Sequence, residues 1–64
     1  MLTTSRQIIR RLTEEGYVLA RVSGSHHIFR HDEYTQIVIV PHPRKDLPKG
    51  TVRNIYKKAG WEKD

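Results

Sequence analysis

Residues 23–31 read SGSHHIFRH, so three of the four histidines of a 64-residue chain fall in one short stretch behind a turn of small residues. Histidine has an unperturbed pKa of about 6.5, close to working pH, and proton transfer is the first chemistry such a stretch suggests. At a Gly24–Ser25 turn, backbone N–H groups and the Ser25 hydroxyl could hold a phosphate oxygen while His26 moves a proton. A metal site is the second chemistry to weigh, and spacing disfavours it. On an extended strand His27 and His31 stand ~13 Å apart, at about 3.3 Å per residue, against zinc–nitrogen bonds of ~2 Å. His42 could join one of them across strands, but no thiol accompanies it. Residue types alone leave open the plain alternative that His26 and His27 are ordinary strand residues at a hairpin. Other nucleophilic classes drop out: there is no cysteine, no G-x-S-x-G elbow and no glycine-rich loop leading into a helix.

The elements that would position these residues are short. Thr4 stands three residues before Gln7, the spacing of a reciprocal helix cap, and Ile8, Ile9 and Leu12 recur at helical intervals before Gly16. A helix is predicted from there to near Glu15, with Arg6, Arg10 and Glu14 on its outer side. YVLARVS at 17–23 is rich in β-formers, Ser23–Gly24–Ser25 supplies a hairpin turn, and HHIFRH at 26–31 forms the second strand. DEY is the next turn, and TQIVIV at 35–40 is the third strand, stopped at Pro41. A second helix is predicted from near Leu47 or Pro48, with Asp46 as its cap; Val52, Ile55, Tyr56 and Ala59 make its buried face and Gly60 its end. Strand parity places His26, Ile28 and Arg30 on one face and His27, Phe29 and His31 on the other. Tyr34 and Trp61 suit base stacking or capping of a small core.

Composition narrows the partners. Lys and Arg number 12 against 7 Asp and Glu, a net charge of +5 with a pI near 10.0, which favours a polyanion. Much of the excess lies between His42 and Lys58. Lys49, Arg53 and Lys57 recur every four residues and so form a stripe on the second helix, which Arg44 and Lys45 extend into the preceding loop. Single surface lysines also serve solubility, so the weight rests on the set. The longest apolar run, IVIV at 37–40, is far below the ~20 residues of a membrane span, and no secretory leader is evident. One soluble, cytoplasmic domain over residues 1–64 is expected, without contact to membrane and without a metal or other cofactor.

The order helix, three strands, helix, together with GSHHIFRH, VIVPHPRKDLPKGT and KKAGW, resembles the HicA family of bacterial toxins over about residues 3–61. The resemblance implies an α+β fold like that of the double-stranded RNA-binding domain, a three-stranded antiparallel sheet with two helices on one face. It implies an mRNA interferase that halts translation and is neutralised by a HicB antitoxin. It further implies that His26, directly after Gly24–Ser25, is the catalytic histidine, and that Lys45, Lys49 and Arg53, at the N-terminal end of the second helix, meet RNA phosphates; Arg44 and Lys57 join them through the stripe. The favoured reaction is metal-independent attack of a ribose 2′-hydroxyl on the adjacent phosphorus. His27 and His42 are by residue type the candidates for the accompanying acid. A non-catalytic RNA-binding module using the same basic stripe is the alternative. Ile37 and Ile39 face away from Val38 and Val40, so one sheet side should stay apolar and open to the antitoxin or to a second copy of the chain.

Overall fold

The computed structural model describes residues 1–62 and contains α1 (Ser5–Glu14), β1 (Val18–Ser23), β2 (His26–Arg30), β3 (Val38–Pro41) and α2 (Lys49–Ala59) in that order. The Thr4 hydroxyl caps α1 by accepting from the Gln7 N–H at 3.2 Å, and Ser5, Ile8 and Leu12 form its buried stripe. At its end the Gly16 N–H donates to the Thr13 carbonyl and the Tyr17 N–H to that of Leu12. This is the pattern of a chain reversed through a left-handed residue, and Gly16, at φ +97°, supplies it. The same pair of bonds closes α2, from Gly60 to Lys57 and from Trp61 to Tyr56. Each reversal folds an aromatic side chain, Tyr17 or Trp61, back into the core.

The sheet is antiparallel in the order β1-β2-β3. Ser23 pairs with His26, Val22 with His27, Arg21 with Ile28 and Leu19 with Phe29, with a bulge between Leu19 and Arg21. On the other side of β2, His26 pairs with Pro41, His27 with Val40, Ile28 with Ile39 and Phe29 with Val38. Both helices cover one sheet face: Ile8 and Leu12 of α1 and Val52, Ile55 and Tyr56 of α2 share a cluster with Phe29, Val38 and Val40. The opposite face carries His26, Ile28, Arg30, Ile39 and Pro41. Ile39 and the neighbouring Ile37 are 41% and 43% exposed, while Val38 and Val40 are fully buried.

Two boundaries differ from expectation. β3 starts at Val38 and runs through Pro41. The register set by Phe29 and Val38 would place Gln36 opposite His31, which has left the ladder. As an edge strand, β3 tolerates a residue without an N–H. The second correction concerns Asp46, which does not cap α2; Pro48 does, with no side-chain cap bond. Leu47 is buried and its N–H is held by the Thr3 carbonyl at 2.9 Å. A residue before proline is in any case disfavoured from helical conformation, so the helix begins only after Pro48.

Candidate functional site

Ser23 and His26 are directly paired, so Gly24 and Ser25 alone make the β1–β2 turn. Gly24 has φ +59° and Ser25, like every non-glycine residue among the described ones, does not have positive φ, the pattern of a two-residue II′ turn with glycine first. The turn delivers His26 to the helix-free face at the end of the sheet.

The four histidines have different surroundings. The His31 Nε2 lies 2.9 Å from the Glu15 carbonyl oxygen and its Nδ1 accepts from the Glu33 N–H at 3.0 Å. Both nitrogens are thereby used in holding turns, and Tyr17 and Tyr34 pack on the ring at 4.9 and 4.5 Å. His42 meets the Ser5 hydroxyl through Nδ1 at 2.7 Å. His27 is half-buried on the helix side, its ring edge to face with His42 at 4.9 Å, and its Nδ1 is buried without a partner. Only His26 is exposed, and its ring makes no hydrogen bond among the described residues. His27 and His42 thus meet on the helix side, and neither shares the face of His26. His27 and His31 occupy separate environments, and no three His, Asp or Glu side chains gather as a metal site among the described residues.

The cations divide similarly. Arg10 pairs with Glu14, Arg11 with Glu15 and Arg30 with Asp32. Arg44, Lys45, Lys49, Arg53 and Lys57 are exposed and carry no ion pair among the described residues. The first two occupy the loop after β3, the other three successive turns of α2. That loop is tied to the catalytic candidate's turn, because the His42 N–H donates to the Ser25 carbonyl at 2.8 Å. Trp61 is buried and serves as a core cap: its indole N–H donates to Glu15 at 2.7 Å under the Arg11 guanidinium, 4.2 Å from the ring. Tyr34 stays 56% exposed.

Arg21 is the residue that reading the sequence missed. It is exposed and unpaired among the described residues, and it stands on β1 two positions from Ser23, the direct partner of His26. That puts it on the face of His26 as a diagonal neighbour, with a separation of about 7–8 Å expected for such pairs. The two-residue turn contains the signal, since it fixes which β1 residues share the side of His26.

An exposed histidine on a bare sheet face, a nearby free arginine and a set of unpaired cations can together bind a phosphodiester and move a proton beside it. No helix among the described residues is long and apolar enough to cross a membrane. No curated protein matches the sequence. Residues 5–61 match the family described as HicA toxin of bacterial toxin-antitoxin, which leaves only the first four and last three residues outside. Since that match spans both helices and the whole sheet, with His26 and the basic stripe inside it, the chain belongs to the HicA toxin family.

Proposed function

We propose that this toxin is an endoribonuclease that cleaves messenger RNA through His26 and thereby arrests translation. The observation that carries the reading is the contrast among the histidines: His26 alone is exposed with no bonded ring nitrogen, while His31 and His42 are engaged in structural contacts. His26 takes the proton of a ribose 2′-hydroxyl. The 2′-oxygen then forms its bond to phosphorus as the bond to the 5′-oxygen breaks, leaving a 2′,3′-cyclic phosphate. The departing 5′-oxygen takes a proton from water, since His27 and His42 face the other side of the sheet. Arg21 is the cation placed to stabilise the charge that develops on the phosphoryl oxygens, and preorganised charge of this kind is usually a large contribution to catalysis. Arg44, Lys45, Lys49, Arg53 and Lys57 hold flanking phosphates, and no metal takes part.

The partner is proposed to be a HicB-type antitoxin seated on the bare sheet face, where Ile37 and Ile39 are exposed beside the His26 strand. A protein docked there covers His26 as well, so binding and inhibition become one event.

Cleavage of RNA by the purified toxin tests the reading. His26→Ala should lower the rate by about 10²–10⁴, the usual contribution of a positioned acid or base, while RNA binding and folding persist. Wild-type activity should survive chelator. A folded His26→Ala protein that cleaves at the wild-type rate would overturn the assignment.

A further inference from the structure

A cleft of about 590 Å³ lies between the start of α1 and the loop after β3, lined among others by Thr4, Ser5, Arg6, His42, Arg44 and Lys45. We propose that it is a second phosphate subsite for the RNA strand, with His42 as a hydrogen-bond donor and Arg6 as an added cation. The inference rests on RNA being the substrate.

Hydrogen-bond counting assigns the state of His42. Ser5 is 1% exposed, and its hydroxyl oxygen accepts from the Arg44 N–H at 2.8 Å. A hydroxyl has one hydrogen to donate, and the acceptor within reach is the His42 Nδ1 at 2.7 Å. Buried as it is, the hydroxyl would leave its hydrogen without an acceptor if Nδ1 also donated to it, so the arrangement that satisfies both groups has Nδ1 accepting and the ring hydrogen on Nε2. With Nδ1 turned to Ser5 and the ring lining the cleft, Nε2–H is the donor left for a ligand. Ser5 acts as a positioning residue, setting the tautomer of His42 and, through the Arg44 N–H and its own N–H to the Arg44 carbonyl at 2.9 Å, the path of the basic loop.

The electrostatics of the cleft favour an anion. Thr4, Ser5 and Arg6 form the positive end of α1, and the first turn of that helix holds no carboxylate. Arg6 is exposed and unpaired among the described residues, in a position where a cation opposes the dipole of its own helix. Arg44 and Lys45 close the other wall. The His42 N–H to Ser25 bond places the cleft and the turn bearing His26 at the same end of the sheet. A strand held beside His26 can therefore continue over the sheet edge into the cleft.

The test uses a 2′-O-methyl oligoribonucleotide, which binds but cannot be cleaved through its 2′-oxygen, measured by fluorescence anisotropy at several salt concentrations. Arg6→Ala should weaken binding several-fold and reduce the slope of log affinity against log salt by about 0.7, the value for one single-strand phosphate contact. His42→Asn retains an acceptor for Ser5 and deletes the Nε2 donor; it should also weaken binding several-fold. Ring ¹⁵N spectra of the wild type should show Nε2 protonated and shifted on adding the oligonucleotide. Wild-type affinity and slope in Arg6→Ala, alongside weakened binding in Lys49→Ala/Arg53→Ala, would overturn the subsite and leave the RNA reading intact. An oligonucleotide that the wild type does not bind would overturn both. Arg6 makes no contact the fold depends on, so the test holds even where His42→Asn does not fold.

Discussion

The His31 Nε2 sits 2.9 Å from the carbonyl oxygen of Glu15, the residue that closes α1. With Nδ1 accepting from the Glu33 N–H, the ring bridges the end of one helix and the β2–β3 turn. A histidine so occupied has no nitrogen left for chemistry. His31→Ala should therefore lower stability by roughly 0.5–1.5 kcal/mol, the net worth of an intramolecular hydrogen bond, and leave cleavage by the folded protein unchanged. Gly16→Ala should act at the same joint. Gly16 has φ +97°, and a Cβ there would lie 2.8 Å from His31 Nε2, so a loss above about 1 kcal/mol is expected. Urea unfolding, read beside RNA cleavage, checks both.

Lys49→Ala/Arg53→Ala should weaken RNA binding and flatten its salt dependence by about 0.7–0.9 of slope for each lost phosphate contact. Both side chains are exposed without ion pairs among the described residues, so unfolding free energy should stay within about 0.5 kcal/mol of wild type. An unchanged slope in a salt titration would place this helix face against solvent or protein instead.

Ile39→Asp should abolish co-elution with the antitoxin in size-exclusion chromatography while the protein alone still folds and cleaves RNA. Ile39 is 41% exposed on the bare face, opposite Ile28, and a charge there disfavours an apolar interface. Loss of self-association in place of antitoxin binding would identify the occupant of that face as a second copy.

Burial, then Tyr34 and Glu15, raise the Tyr17 phenol above its ordinary 10.0. The folded state thus holds this proton more tightly than the unfolded chain. Its contribution is intact below about pH 10 and is lost as the pH climbs through the raised value. Urea midpoints of wild type should fall more steeply than those of Tyr17→Phe above about pH 10; parallel curves would contradict this.

The histidine parity was legible in the sequence because alternation along a strand is local, and the face of His26 followed from it. Both helices were legible for a similar reason: Thr4, Gln7 and Gly16, or Val52, Ile55, Tyr56 and Gly60, lie within a few turns of one another. What escaped depends on contacts distant in sequence. The Ser5–His42 bond spans 37 residues, and it determines that His42 is held on the helix side and not beside His26. Asp46 has the right residue type for a cap, but Leu47 is pinned to Thr3, a partner no local pattern reveals. Arg21 escaped because charge was counted along the chain when the decisive quantity was the cross-strand register.

Of the described elements, the helix that completes the core is the last in chain order, and so it is translated after the sheet it covers. Leu47, Val52, Ile55, Tyr56 and Trp61 all follow the sheet they cover, and the Tyr56 hydroxyl also accepts the Leu2 N–H at 2.7 Å, tying α2 to the residues ahead of α1. A nascent chain carrying only α1 and the sheet lacks that side of its core, so the geometry around His26 matures only after α2 is made. On the proposed reading, RNA cleavage by a newly made chain begins only once α2 has been translated and packed. A chain ending at Lys45 should show no cooperative unfolding transition and no cleavage.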